Sequence, residues 1–393
     1  MPELLINRLK KTEINQNDVK DFSESVSKSI RDFHKSFYVY SPTPLITLNS
    51  YAKQIGVNKI YVKDESHRFG LNAFKVLGAS YTIANIIKNV LGLTDAELSF
   101  THLKQQIKKQ SKDITLVTAT DGNHGKGVAW SANQLGIRSV VYMPNGSSPY
   151  RIDAIKSLGA DVTVIDGNYD DAVQFASDMS AKNNWILVQD TAFDNYESIP
   201  FDIMQGYLTI LDEFLEQNNN DKPTHIFIQC GVGSLAASIL AGVISRFGNE
   251  APLFGIIEPV NAACFFKSGE INDGSPHRVE GKLESIMAGL SCGKPSTTAW
   301  NICRDYADYF IKCEDNITMD GIRLYALPYR DDKKIISGES GAVSLGFLNY
   351  VLMKDKTGLK EKLKLDSNSK IFLISTEGDT DPAMYSKIVS SSV

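Results

Sequence analysis

Short apolar runs alternate with amphipathic stretches over most of the chain after residue 40. Runs rich in β-branched and aromatic residues predict strands, and apolar positions recurring every three or four residues predict helices. The predicted strands cover residues 59–63, 114–118, 139–143, 161–165, 185–188, 224–228, 253–257 and 370–374. The predicted helices cover residues 73–90, 127–135, 151–158, 169–182, 195–215 and 235–247, after a polar, helical lead-in over the first 40 residues. This alternation is typical of an α/β fold with a largely parallel sheet.

Composition and charge exclude several classes of protein. The 393 residues are 42% hydrophobic, which suits a folded chain of two or three domains rather than a disordered one. The net charge of -5 gives no support for nucleic-acid or anionic-membrane binding. The apolar stretch 226–244 is long enough to span a membrane, but glycines and serines interrupt it, so a strand, a loop and a helix fit better.

The five cysteines show no C-x-x-C spacing, and no pair of histidines stands at ligand spacing. We therefore predict no metal site, and we expect a cytoplasmic protein. Cys264 and Cys292 flank a polar stretch at residues 267–284. A disulfide between these two cysteines is one option, and two free thiols are the favoured one.

Loops that follow predicted strands are where α/β proteins bind ligands. The first such loop, residues 63–75, ends with Lys75 in the first turn of a predicted helix that Asn72 could cap. The helix dipole disfavours an ammonium ion there, which favours the neutral amine or Schiff base that a covalent catalyst needs. A solvated surface lysine is the alternative for Lys75 taken alone.

The second loop places Asp121, Asn123 and His124 among three glycines between residues 118 and 127. Glycines let backbone N–H groups approach an anion, and the start of the next helix attracts one. Asp121 would repel such an anion, so its presence calls for a reason. A tight turn with Asp121 as the helix cap is the alternative.

The third loop, Gly231-Val-Gly-Ser234, follows the strand at 224–228 and could hold a phosphate group. With Ala236 and Glu258 it also satisfies the dinucleotide pattern G-x-G-x-x-A, so an NAD-dependent dehydrogenase is a competing interpretation. The fourth loop, residues 374–382, gathers hydroxyl and carboxylate side chains after the last predicted strand.

Taken in order, the four loops resemble those of the fold type II pyridoxal-phosphate (PLP) enzymes, the tryptophan synthase β and threonine dehydratase group. The resemblance runs from residue 40 to 382. Within the group, the chain looks most similar to the diaminopropionate ammonia-lyase family, on the stretches 64–75, 120–125, 188–191, 337–342 and 375–382. It implies two three-layer α/β/α domains with mostly parallel sheets and the cofactor between them. We expect the large PLP-binding domain in residues 1–80 and 195–393, and the small domain in residues 81–194.

The resemblance also implies the cofactor contacts. Lys75 would be joined to the cofactor, Asn123 would contact its ring hydroxyl, and the Gly231 loop would bind its phosphate. Ser375 would face the pyridine nitrogen, with Thr376 as the alternative because the loops align only to within one residue. A hydroxyl partner leaves that nitrogen largely unprotonated, which suits elimination over transamination. The implied cofactor-binding residues are Phe74, Lys75, Asn123, Gly231, Val232, Gly233, Ser234, Ser375 and Thr376.

The reaction that the resemblance implies is elimination of ammonia from D- and L-2,3-diaminopropionate, giving pyruvate and two ammonia. Ordinary members of the wider group carry Ser where this chain has Asp121. Lys75 and Asp121 would each remove the α-proton of one enantiomer, and Asp190 would hold or protonate the β-amino group. The implied substrate-binding residues are Thr120, Asp121, Gly122, His124 and Asp190, and the implied catalytic residues are Lys75, Asp121 and Asp190.

Other activities and the oligomeric state stay open at this point. A serine or threonine dehydratase and an amino-acid racemase share the implied fold, but Asp121 and Asp190 argue against both. A catalytically silent binding protein of that fold would not need the full set of catalytic residues. By analogy with the group we expect a homodimer that acts on a small amino acid.

Overall fold

The computed structural model describes residues 1–95, 98–120, 122–192 and 196–391. The chain forms two compact units. The first unit comprises residues 1–24, 42–72 and 210–393, and the second unit comprises residues 25–41 and 73–209.

The strands of the described residues are β1 (Glu3–Ile6), β2 (Leu45–Thr47), β3 (Lys59–Asp64), β4 (Thr115–Ala119), β5 (Arg138–Pro144), β6 (Asp161–Ile165), β7 (Ile186–Leu187), β8 (His225–Gln229), β9 (Leu253–Pro259), β10 (Tyr309–Cys313) and β11 (Lys370–Ser375). The helices are α1 (Glu24–Lys35), α2 (Asn49–Ile55), α3 (Val76–Leu91), α4 (Phe100–Gln110), α5 (Asn123–Leu135), α6 (Pro149–Ser157), α7 (Tyr169–Asn183), α8 (Ser198–Gly206), α9 (Leu208–Gln217), α10 (Ser234–Phe247), α11 (Cys264–Ile271), α12 (Thr297–Tyr306), α13 (Asp315–Ala326), α14 (Glu339–Asn349), α15 (Leu359–Lys362) and α16 (Pro382–Ser390).

The first unit contains a seven-stranded sheet in the order β1-β10-β9-β8-β11-β3-β2. Its inner strands run parallel, and the edge strands β1 and β2 pair antiparallel with their neighbours. Every residue of β8 is buried. Central parallel strands are covered on both faces, and their sequences are therefore continuous apolar runs rather than alternating ones.

The second unit contains a four-stranded parallel sheet in the order β6-β5-β4-β7. All of β4 is buried, while the edge strand β6 is largely exposed. The loops that follow β4 and β7 leave the same edge of this sheet, because the two strands are parallel neighbours. This arrangement brings Thr120 and Asp190 into one region of the second unit.

The apolar stretch 226–244 forms β8, a glycine loop and α10, as the sequence predicts. Among the residues that the structure describes, no helix combines the length and the apolar character needed to cross a membrane.

Two sequence predictions were wrong in detail. The first 40 residues include the strand β1 as well as helix, because residues 3–6 pair with β10 over a long sequence separation. The single helix predicted for 195–215 is two helices, α8 and α9, with a break at Tyr207.

The domain boundaries given above stay a prediction. In the structure, residues 73–80 and 196–209 group with the second unit.

Within the second unit, α3 packs closely against α8 because each helix carries a glycine at the contact. A Cβ atom on Gly78 would lie 2.8 Å from the carbonyl oxygen of Ile203, and one on Gly206 would lie 2.6 Å from that of Leu77.

Candidate active site

Lys75 immediately precedes the first residue of α3 and has helical backbone angles. Its side chain is 20% exposed, and its Nζ lies 2.5 Å from Oδ2 of Asp190. Asn72, which the sequence analysis considered as the cap of this helix, does not cap it. Its backbone is left-handed, with φ of 59°, and its side-chain amide donates to Asp379 Oδ1 at 3.1 Å.

Asp190 is a buried carboxylate that follows β7. Burial alone would raise its pKa, but the Lys75 ammonium and His124 outweigh that effect and lower the pKa of Asp190 to about 2. The side chain is 5% exposed. At neutral pH Asp190 is therefore ionised, and it faces the amine of Lys75.

Gln189 fixes the backbone next to Asp190. Its side-chain oxygen accepts from the Thr118 hydroxyl and from the Ala119 N–H, both at 3.1 Å. Its side-chain nitrogen donates to the Tyr169 hydroxyl at 2.9 Å. These bonds tie the residue before Asp190 to the end of β4, and the sequence analysis assigned no role to Gln189.

Thr120 organises the loop that follows β4. Its hydroxyl oxygen accepts from the N–H groups of Gly122 at 2.9 Å and Gly125 at 3.1 Å. A Cβ atom on Gly125 would lie 2.3 Å from Thr120 Cγ2, so the glycine leaves room for this side chain. Asp121 lies outside the described residues. The N-cap position of α5 is Gly122, and the Thr120 hydroxyl accepts from the N–H groups of Gly122 and Gly125.

His124 lies in the first turn of α5 and is buried. Its Nε2 lies 2.8 Å from the Val188 carbonyl oxygen, and its Nδ1 lies 3.9 Å from Oδ2 of Asp190. Asn123, the first residue of the same helix, is half-buried. The second unit thus brings together Lys75, Asp190 and His124, three residues to which the family resemblance assigns a role in the site.

Phe74 packs beside Lys75 in the second unit. Its ring centroid lies 4.8 Å from that of Tyr207. Burial raises the pKa of the Tyr207 hydroxyl well above its usual range. Both rings are buried.

The Gly231 loop of the first unit joins β8 to α10. Gly233 has a left-handed backbone with φ of 104°, and a Cβ atom there would lie 2.3 Å from Phe265 Cζ. A Cβ atom on Gly231 would lie 3.0 Å from the Gly289 carbonyl oxygen. Ser234 is the first residue of α10, and no side chain among the described residues caps this helix. A helix N-terminus behind a close-packed glycine loop fits the phosphate of a cofactor.

The two hydroxyls at the end of β11 are both buried in the first unit. Ser375 Oγ lies 2.8 Å from Ser337 Oγ. Thr376 Oγ1 accepts from Gln229 Nε2, also at 2.8 Å. The sequence analysis assigned no role to Ser337 or Gln229, although Ser337 lies in one of the stretches that carry the family resemblance.

In the described part of the chain none of the five cysteines forms a disulfide, and Cys264 and Cys292 are not joined to each other, as expected. Burial raises the pKa of the Cys264 thiol well above its usual range, which keeps it protonated and unreactive at neutral pH.

A model of the family described as "Pyridoxal-phosphate dependent enzyme" matches residues 37–376. The chain belongs to this family. A diaminopropionate ammonia-lyase of Salmonella typhimurium is 44% identical over 372 residues, which are 93% of this chain and 92% of the relative. The Escherichia coli diaminopropionate ammonia-lyase in complex with D-serine is 43% identical with a TM-score of 0.93, over 99% of this chain and 97% of that one.

More distant relatives include a biosynthetic L-threonine dehydratase of Pasteurella multocida. It is 26% identical over 81% of this chain and 54% of its own length. These findings confirm the family and the fold class, and PLP is the cofactor. The dinucleotide interpretation of the Gly231 loop was wrong. Glycine turns before helices hold phosphates of many kinds, so that pattern alone does not specify NAD.

Proposed function

We propose that this chain eliminates ammonia from both enantiomers of 2,3-diaminopropionate, giving pyruvate and two ammonia. The observation that carries the proposal is the contact of Lys75 Nζ with the buried Asp190 carboxylate. The proposal is also supported by the ammonia-lyase relative, which matches this chain over nearly the full length of both proteins. When bound, PLP supplies an electron sink for the charge that develops at the substrate's Cα.

Lys75 would hold the cofactor and exchange the proton at Cα of one enantiomer. The helix start disfavours an ammonium ion, but the ionised Asp190 beside the free Lys75 amine favours it, and joining the cofactor would remove that charge. Asp121 would serve as the base for the other enantiomer. Thr120 and the first turn of α5 would position the substrate in the second unit, and Asn123 would contact the ring hydroxyl.

Asp190 would hold the β-amino group of the substrate as an ammonium ion. Ammonia leaves as a neutral molecule only from a nitrogen that already carries three protons. A carboxylate beside that nitrogen raises the pKa of the ammonium and keeps it protonated. Because the pKa of Asp190 is about 2, the side chain suits this holding role better than donation of its own proton at neutral pH.

In the first unit, the backbone of residues 231–234 would bind the phosphate, and Ser375 or Thr376 would face the pyridine nitrogen. Both hydroxyls are buried and hydrogen-bonded, so their orientation is restricted. A neutral hydroxyl keeps the ring nitrogen a weaker electron sink than a protonated one, and this suits β-elimination.

Serine or threonine dehydration and racemisation are the alternative functions. A hydroxyl leaving group is neutral and gains little from the ionised Asp190, whereas a β-ammonium group gains an ion pair. The test is the number of ammonia molecules released per pyruvate. Diaminopropionate should give two and serine one, and both enantiomers of diaminopropionate should react. Turnover of serine or threonine with no turnover of diaminopropionate would contradict the proposal.

By analogy with the family we also propose a cytoplasmic homodimer that requires no nucleic acid or membrane. Light scattering on the purified protein tests the oligomeric state. A monomer at micromolar concentration would contradict this part of the proposal and leave the activity unaffected.

A further inference from the structure

Ser337 and Ser375 form a pair of buried hydroxyls in the first unit. Neither residue is exposed, and their oxygen atoms lie 2.8 Å apart. Ser375 is the last residue of β11, and Ser337 lies two residues before α14. The two serines are 38 positions apart along the chain. The two hydroxyls are therefore held together by the fold and not by local sequence.

The backbone around Ser337 is fixed to the loop that follows β11. The Gly338 N–H donates to the Glu377 carbonyl oxygen at 2.9 Å, and the Ser340 N–H donates to Glu377 Oε1 at 3.1 Å. A Cβ atom on Gly341 would lie 2.7 Å from Ser337 Oγ, so the glycine leaves just enough space for this hydroxyl. Ser337 thus has little freedom to move away from Ser375.

A pair of hydroxyls shares one hydrogen bond, so one hydroxyl donates and the other accepts. An unprotonated pyridine nitrogen can only accept a hydrogen bond. If Ser375 donates its proton to that nitrogen, its oxygen is left to accept from Ser337. A chain of two aligned hydrogen bonds is stronger than the same bonds taken separately.

We propose that Ser337 is a positioning residue that holds Ser375 as the hydrogen-bond donor to the ring nitrogen of PLP. This inference rests on the proposed function, and on Ser375 rather than Thr376 as the partner of that nitrogen. Thr376 has a different neighbour, Gln229, which donates to its hydroxyl. The two candidates can therefore be perturbed separately, through Ser337 and through Gln229.

The test compares variants at Ser337 with matched controls, using two readouts that do not depend on turnover. Apoenzyme is titrated with PLP to give the dissociation constant, and PLP labelled with ¹⁵N in the ring reports the hydrogen bond through its chemical shift. Ser337→Ala removes the donor, and Ser337→Cys keeps the volume with a weak donor. Ser344→Ala removes a different fully buried serine hydroxyl, one within α14 that has no hydrogen-bond partner in the described part of the chain.

Ser337→Ala should raise the dissociation constant of PLP roughly 2- to 10-fold, the effect of one net hydrogen bond. It should also move the ¹⁵N shift toward that of a pyridine without a hydrogen bond. Ser337→Cys should give intermediate values, and Ser344→Ala should match the wild type. A merely structural role for Ser337 would lower the melting temperature without moving the ¹⁵N shift.

The inference would be overturned if the ¹⁵N shift of PLP in Ser337→Ala equalled that in the wild type. It would also be overturned if Ser344→Ala changed the shift as much as Ser337→Ala does. A change in Gln229→Leu together with none in Ser337→Ala would assign the ring nitrogen to Thr376 and also overturn it. Absence of saturable PLP binding by the wild-type apoenzyme would instead refute the proposed function, and this inference with it.

Discussion

Lys75 Nζ and Asp190 Oδ2 lie 2.5 Å apart in the second unit, although 115 positions separate the two residues in the sequence. The pair places an amine next to a fully ionised, buried carboxylate. In the proposed reaction, Lys75 would exchange the α-proton and Asp190 would hold the leaving ammonium ion.

Replacing Lys75 by alanine should abolish both the covalent attachment of PLP and the activity. In the proposed function the Lys75 amine is the attachment point, so the visible absorbance of the purified enzyme should disappear. Borohydride treatment should then leave no cofactor covalently bound to the protein, as judged by its mass. Lys88→Ala, which removes a lysine of the same helix that pairs with Asp95, should behave like the wild type. A reducible chromophore in Lys75→Ala would contradict the assignment.

Asp190→Asn should remove an acid-sensitive contribution to the stability of the cofactor-free protein. The pKa of Asp190 is lowered to about 2, so its contribution is fully present above the ordinary carboxyl pKa near 4 and is lost as pH falls through 2. The shift corresponds to on the order of 2 kcal/mol of unfolding free energy. Urea unfolding at pH 6 and at about pH 2.5 should show the wild type converging on the variant as pH falls. A stability difference that does not change with pH would contradict the ion pair.

Asp121→Asn should separate the two enantiomers. If Asp121 is the base for one of them, kcat/KM for that enantiomer should fall about 10²- to 10⁴-fold while the other changes little. Coupled pyruvate assays on D- and L-2,3-diaminopropionate measure both values. Asp113→Asn, at an exposed position before β4, is the control and should affect neither. Equal losses on both enantiomers would refute the assignment of two bases.

Gly233→Ala should lower the unfolding free energy more than the same substitution at a left-handed glycine that has open space around it. The new Cβ atom would lie 2.3 Å from Phe265 Cζ and 2.8 Å from Ala299 Cβ, in addition to the strain of φ at 104°. Together these should cost roughly 2–5 kcal/mol. Gly56, with φ of 79°, is also left-handed but has no atom within 4 Å of a new Cβ, and Gly56→Ala should cost about 1 kcal/mol. Urea unfolding checks both values, and the Gly233 variant should also bind PLP more weakly.

Glu213→Gln should destabilise the first unit strongly. Glu213 has no exposure and binds the buried Arg68 guanidinium at 2.7 Å and the buried Lys63 amine at 2.7 Å. Loss of its charge leaves two buried cations with less compensation, which costs about 3 kcal/mol or more. Glu216→Gln, an exposed neighbour on α9, is the control and should change the unfolding free energy little. A neutral effect of Glu213→Gln would show that these cations find other partners.

The hydrophobic pattern predicts the inner strands β3, β4, β5, β8, β9 and β11 to within two residues at each end, but it misses the inner strand β10 and the helices α11–α14. Strand β6 matches the prediction at both ends, and α7 is one residue longer than predicted. Fully buried parallel strands are continuous apolar runs, and their signal is strong because it is local. The edge strands β1 and β2 were not predicted, since short edge strands depend on a partner that the local sequence does not reveal.

The sequence by itself determined the fold class, the family and the loops that carry the chemistry, including Lys75 and the Gly231 loop. Those features are local, because a glycine turn or a reactive lysine is written in a few consecutive residues. Only the tertiary structure decided that Asp190 pairs with Lys75, that Gln189 fixes the backbone beside it, and that Ser337 faces Ser375. These contacts join distant parts of the chain, and the charges of Lys75 and His124 lower the pKa of Asp190 only when those parts pack together.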